Sequence, residues 1–175
     1  MAKSLPSAKR LNCLFEYLPS GILVFKPRAG DSRFNTRWAG RQVIGTPNGK
    51  GYERVRLHGR CVYIHRIVWK MHFDSDPHQV DHINGNRSDN RIENLREAVG
   101  SQNNWSSRRN TSVTGFKGVI RASRSTRFEA RIKVDGQQRH LGTFNTAVDA
   151  ARAYDAAAVA LHGDFSVTNS DLGLL

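Results

Sequence analysis

The spacing of apolar positions changes along this chain, and each change predicts a different kind of element. Up to about residue 64, apolar residues come in short runs broken by turns. LFEYLPSGILVFKPR wraps them around a Pro-Ser-Gly turn. In GTPNGKGYERVRLHGRCVYIH, Tyr52, Arg54 and Arg56 alternate with Val55 and Leu57 between an Asn-Gly and a His-Gly turn. Such patterns predict short strands. HRIVWKMHF predicts a short apolar helix with Ile67, Trp69 and Phe73 in the core, and His58, His72 and His78 are expected to face solvent. Then comes VDHINGNRSDNRIENLR, a turn-rich loop from which Ile92 to Leu95 returns as a second strand, followed by the polar helical stretch SQNNWSSRRN.

The clearest periodicity lies further on. Phe128, Ala130, Ile132 and Val134 alternate with Arg127, Glu129, Arg131 and Lys133, a period of two with one face buried. Val119 to Arg121 precedes this strand, Asp135-Gly136 is a hairpin turn after it, and Arg139 to Phe144 forms the third strand. The period then becomes helical, with Ala147, Ala150, Ala151, Tyr154, Ala157, Ala158 and Leu161 on one stripe. Thr146 caps this helix with Asp149 three residues on, and Gly163 stops it. The alanines let the helix lie close to one face of the sheet. The other face is left with Arg and Lys.

Charge sharpens this picture. Lys and Arg number 27 against 15 Asp and Glu, a net +12 in 175 residues, and the isoelectric point is near 10.5. A field of that sign makes a nucleic acid the expected partner, since each neutralised phosphate releases counterions. Residues 117–139 carry +5 and residues 140–175 carry −3, so the C-terminal part has a positive strand half and a negative helix half. No apolar run approaches the roughly 18 residues that span a bilayer, no hydrophobic core follows MAKSLPSAKR, and no membrane partner or secretory signal is expected. Cys13 and Cys61 stand far apart without a C-x-x-C, which excludes a four-cysteine structural zinc and suits a reducing cytoplasm.

F-K-G-V, the three strands, then H-L-G-T-F-N-T-A-V-D-A-A-R-A-Y-D-A-A-A-V-A-L-H-G and Asn169 resemble the plant ethylene-response-factor (APETALA-type) DNA-binding domain over about residues 114–169. The resemblance implies a three-stranded antiparallel sheet packed on one helix, with sheet residues touching bases and phosphates. Lys117 and Lys133 stand where the family has contacting arginines. Ile120 replaces a base-reading Arg, with Arg121 beside it; Arg124 and His140 replace tryptophans, and Arg131 replaces a Glu. The plant domain's target sequence therefore does not carry over, whereas geometry and charge do.

The Asp81-His82 loop lies in the strongly positive part of the chain, residues 1–111, which carry a net +10. Hydrolysis of a phosphodiester needs a base for the attacking water and positive charge for the transition state and the leaving 3′-oxygen. A neutral imidazole suits the first need; a hard cation held by oxygen donors suits the second. On a strand, adjacent Asp81 and His82 point to opposite sides, so a bend or a strand end is needed for both to serve one site. Asn94 suits a brace for the loop backbone, and Asn86 and Asn90 suit turns.

Y-I-H-R-I-V-W, the loop itself and S-Q-N-N resemble phage HNH endonucleases of the homing type, as do W-A-G-R and G-Y-x-x-V upstream. That resemblance implies a ββα-metal (His-Me finger) core. In it His82 is the general base, Asp81 and Asn103 bind one Mg²⁺ or Mn²⁺, and Asn94 is the structural asparagine; Asn104 is one register away as alternative ligand. The expectation is an α+β chain. Residues 1–64 form an N-terminal strand-rich segment, 65–110 an HNH nuclease core, and 111–175 a DNA-binding domain joined through a polar hinge near NWSSRRNTSVT. Double-stranded DNA is the expected partner, contacted by His65, Arg87, Arg91, Arg108, Arg109, Lys117, Arg121, Arg124, Arg131, Lys133 and Arg139. His65 serves equally as a packing residue. The alternative function is a non-catalytic DNA-binding regulator.

Overall fold

Ile64, Ile67, Val68 and Met71 fall at helical spacing, and all are buried on one helix, α3 (Ile64–Phe73). The computed structural model describes residues 4–108 and 112–175. The chain is a mixed α and β structure with several small antiparallel sheets, and it divides into two units, Met1–Ala98 and Val99–Leu175.

In the first unit, α1 (Ala8–Leu14) packs on α3, and β1 (Phe15–Tyr17) pairs with β2 (Leu23–Phe25). After α2 (Ser32–Trp38) come β3 (Thr46–Pro47), β4 (Glu53–Leu57) and β5 (Arg60–Tyr63), paired in that order. Beyond α3, β6 (Gln79–His82) pairs antiparallel with β7 (Leu95–Ala98). One apolar cluster, including Leu11, Leu23, Ile67, Val68, Val80 and Leu95, holds α1, α3 and the strands together. Both short N-terminal helices go beyond the strands expected from the pattern. Each is started by a side-chain cap: Ser7 Oγ accepts from Arg10 N, and Asp31 Oδ1 accepts from Phe34 N at 2.9 Å.

Two expectations change here. Phe73 is 55% exposed. It is the last residue of α3, after which Asp74 takes a left-handed conformation that closes the helix. The return strand starts at Leu95, because Ile92–Asn94 forms a single 3₁₀ turn first.

In the second unit, α4 (Gly100–Trp105) is followed by β8 (Val119–Arg121), β9 (Phe128–Val134), β10 (Gln137–Phe144) and α5 (Ala147–His162). The sheet order is β10-β9-β8, antiparallel throughout. Ala150, Ala151, Tyr154 and Ala158 of α5 pack against Val119, Ala130, Ile132 and Val134. Thr146 caps α5 by accepting from Asp149 N at 3.1 Å, as its spacing implied. Gly118 has φ +75, and a Cβ there would lie 1.9 Å from the Tyr154 ring, so only glycine permits this approach of sheet and helix. Asn169, fully buried, joins both ends of the unit: it accepts from Lys117 N at 2.6 Å, donates to Lys117 O at 3.1 Å, and contacts Asp155 at 2.8 Å.

Candidate active site and nucleic-acid interface

The β6–β7 hairpin sets Asp81 opposite Arg96 and His82 opposite Leu95. Strand alternation sends the two adjacent side chains to opposite sides, and His82 is the final residue of its strand. Arg96 Nε and Nη2 donate to Asp81 Oδ2 at 2.9 and 2.7 Å, so this buried carboxylate is held by charge. Both bonds converge on Oδ2.

His82 is 3% exposed. Its ring meets His65 edge-on at 5.2 Å and lies 5.8 Å from Tyr52. Its Nε2 is 3.4 Å from Asn90 Oδ1. The Asn90 amide is oriented by its own Nδ2, which donates to Ser88 O at 3.2 Å. The other ring nitrogen, His82 Nδ1, is buried and has no hydrogen-bond partner. Burial, the largest influence, pushes the His82 pKa down and favours the neutral ring. Burial also pulls His65 to about 3, helped by His82 and Arg66. His65 is thus a buried neutral ring stacked on Tyr63, and its packing role is the one the geometry displays.

Asn94 reaches across the loop. Its Oδ1 accepts from Asn84 N at 2.9 Å and its Nδ2 donates to Asp89 O at 2.8 Å. Asn84 and Asn86 each accept a backbone N–H two residues on, the side-chain turns their sequence suggests. Arg91 grips Asp89 through Nε and Nη2 at 2.9 and 2.8 Å, which holds that carboxyl well below the usual range. Arg87 donates to Lys50 O at 2.8 Å and lies over the Tyr52 ring. Both arginines therefore hold the loop's shape as well as adding charge.

Asn103 lies on α4 in the second unit. Its backbone N donates to Val99 O at 3.1 Å and its carbonyl accepts from Ser106 Oγ at 3.1 Å. The end of this helix is fastened within that unit. Trp105 stacks on His162 with centroids 4.4 Å apart and planes 6° apart. Lys117 Nζ donates to Trp105 O, Ser107 O and Val167 O at 3.3, 2.8 and 3.0 Å. Two corrections follow. Residues 105–107, expected in a hinge, are tied down, and the Lys117 ammonium has its three donors spent on backbone carbonyls. Arg108 donates to Asp171 O at 3.3 Å. Arg109 lies outside the described residues.

Register sorts the basic residues of the sheet. Residues directly opposite across paired strands share a face. His140 pairs with Arg131, Gln138 with Lys133, and Ile120 and Thr143 with Glu129. These occupy the face away from the buried Ala130, Ile132 and Val134. Arg121 pairs with Phe128, and its guanidinium lies 5.7 Å from that ring; Arg139 pairs with Ile132. Both thus belong to the helix-side face, although each is exposed. The expectation of one shared basic face is corrected for these two, because a pleat assigns sides by register and charge has no vote. Arg131 also carries a 2.6 Å contact to Glu129. Arg124 sits in the β8–β9 turn with φ 53.

Four residues escaped the sequence reading: Arg96, Asn90, Tyr52 and Tyr63. Arg96 was recoverable from hairpin register once Asp81 was placed on a strand. Asn90 looks like any turn asparagine, and nothing local in the sequence brings the two tyrosines to the histidines.

Residues 62–104 match the family model described as HNH endonuclease. That span contains Asp81, His82, Asn94 and Asn103. A further part of the chain, between a third and under a half of it, is similar to plant proteins named ethylene-responsive transcription factors. Similar proteins include the ethylene-responsive transcription factor WRI1 of Arabidopsis thaliana, 41% identical over 78 residues, 43% of this chain and 18% of that protein. The AP2-like ethylene-responsive transcription factor ANT of the same plant is 44% identical over 59 residues, 33% of this chain and 11% of that protein. CRL5 of Oryza sativa subsp. japonica, also named AP2-like, is 44% identical over 59 residues, 33% of this chain and 9% of that protein. The chain thus spans less than a fifth of these relatives.

Proposed function

We propose that this chain is a divalent-metal-dependent DNA endonuclease with a tethered DNA-recognition domain. By the resemblance to HNH nucleases, residues 65–110 make up its ββα-metal core, and residues 111–175 hold duplex DNA. The observation that carries the reading is His82. It stands at the end of its strand within the HNH match, as a neutral ring with one nitrogen engaged and the other unpartnered. A buried polar atom without a partner calls for an explanation, and a proton acceptor awaiting water is one.

The donors suit a hard cation. Asp81 offers a carboxylate already oriented by Arg96, and by the resemblance to HNH nucleases the Asn103 amide oxygen is the second donor. Among the described residues no group of three His, Cys, Asp or Glu gathers to hold an ion. Two oxygen ligands, with water completing the shell, fit Mg²⁺ or Mn²⁺. When bound, such an ion supplies positive charge to the scissile phosphate and the leaving 3′-oxygen. The chain's own groups do the rest. Arg96 orients Asp81, Asn94 fixes the loop that follows His82, and His82 takes the proton of the attacking water. Arg131 and Lys133 hold phosphate from the outer sheet face, and Arg124, Arg108 and Arg109 add to the field. On the resemblance to phage HNH proteins, we extend the reading to a homing-type enzyme acting in a bacterial cytoplasm. No described helix is long and apolar enough to cross a membrane.

The rival reading, a DNA-binding regulator that does not cut, is favoured by two observations. Arg96 already occupies Asp81, and the relatives are transcription factors by name. Supercoiled plasmid with Mg²⁺ or Mn²⁺ separates the two. Nicked or linear product from the native protein, lost in His82→Ala while DNA binding persists, supports the nuclease. Binding without product across varied plasmid sequences supports the regulator.

A further inference from the structure

We infer that Asn90 is a positioning residue that fixes the tautomer of His82, placing the proton on Nε2 and the basic lone pair on Nδ1. The inference rests on the nuclease reading above and adds a residue that the reading did not need.

The argument runs from the backbone outward. Asn90 is 4% exposed, and its amide has one external constraint: Nδ2 donates to the carbonyl of Ser88 at 3.2 Å. A carbonyl oxygen accepts only, so the amide nitrogen must face Ser88 and the amide oxygen must face the other way. That oxygen is the atom 3.4 Å from His82 Nε2. An amide oxygen also only accepts, so Nε2 must carry the hydrogen. A neutral imidazole has one N–H. Nδ1 therefore holds the lone pair, and it is the buried ring atom with no partner. The opposite tautomer would bury an N–H without an acceptor and set two lone pairs against each other at Asn90, both costly. The spacing at Nε2 is long for a strong hydrogen bond, as catalytic contacts often are before substrate is bound.

The loop holds Asn90 in this role. Asp89, next in the chain, is clamped by Arg91, and its backbone carbonyl accepts from Asn94 Nδ2 at 2.8 Å. Tyr52 and His65 flank the ring of His82 through their faces and edges. Neither supplies a hydrogen bond that would select the other tautomer.

The first test uses the native protein alone. Imidazole ¹⁵N shifts and long-range ¹⁵N–¹H couplings of His82, near neutral pH and without metal or DNA, should report the Nε2–H form. A dominant Nδ1–H form would overturn the proposal. In Asn90→Ala, the same spectrum should show mixed tautomers. The rate of plasmid cleavage at saturating protein should fall about 10–100-fold, against the about 10²–10⁴-fold loss set for removing a general base. Binding to the same plasmid should stay within about twofold. Full cleavage and an unchanged spectrum in Asn90→Ala would sink the assignment while leaving the nuclease intact. DNA binding without any product from the native protein would instead sink the nuclease reading itself, undiminished cleavage by His82→Ala would remove His82 as the base, and the native spectrum would still decide the tautomer.

Discussion

At the scale of single residues, burial decides charge before any partner does. His65 remains neutral in the fold down to about pH 3, because burial and the neighbouring His82 and Arg66 oppose its proton. In the unfolded chain it protonates near 6.5. Between those values the unfolded state binds the extra proton, so stability falls as pH falls through that window, by about 1.4 kcal/mol per pH unit. Above 6.5 this contribution is fully present. Urea unfolding of the native protein and His65→Phe, compared from neutral pH down to about pH 4, should show a shallower acid loss in the variant. Parallel losses would mean that His65 is not the group responsible. Asn94 acts at the same scale through two bonds to loop backbone. Asn94→Ala leaves a donor and an acceptor unmatched and should cost about 2–3 kcal/mol. The urea midpoint measures that loss, and cleavage should fall with it as the loop after His82 loosens.

At the scale of elements, the close seat of α5 on its sheet depends on what is missing from Gly118. The Tyr154 ring occupies the place a Cβ would take. Gly118→Ala therefore combines overpacking with a positive φ, and should destabilise the second unit by about 2–4 kcal/mol. Thermal unfolding should show this as a lowered transition, and an unchanged profile would mean that helix and sheet adjust without cost. The alternation of Arg127 to Val134, the Asp135-Gly136 turn and the alanine stripe made β9, the hairpin and α5 legible, since each carries a period that only one geometry satisfies. The second hairpin strand was misplaced by three residues, because Ile92 to Asn94 spends its turn in a 3₁₀ helix that has no period of its own. Neither N-terminal helix was legible: seven residues give too few turns for a stripe, and each rests on a cap.

At the scale of the molecule, the proposed function has charge and register divide the work of holding DNA. The net +12 promises affinity for a polyanion. Pairing then assigns Arg131 and Lys133 to one sheet face and Arg121 and Arg139 to the other. Lys133→Ala and Arg131→Ala should each weaken duplex binding and flatten the plot of log affinity against log salt by about one unit of slope. Arg121→Ala and Arg139→Ala should change that slope less. Equal effects from all four, read by fluorescence anisotropy across a salt series, would show that face does not govern contact.

What the sequence determined by itself was local or motif-borne. The strand and helix periods and the caps at Thr146 and Gly163 are set by spacing within a few dozen residues, and the resemblance to HNH nucleases singled out Asp81, His82, Asn94 and Asn103 as candidates. What the tertiary structure alone decided was which distant groups face one another. Arg96 pairs with Asp81, Asn90 orients His82, Tyr52 and His65 enclose that ring, and Lys117 turns inward to three carbonyls. A hydrogen bond depends on direction and distance in space, and a chain's order of residues specifies those only after its strands have taken their register.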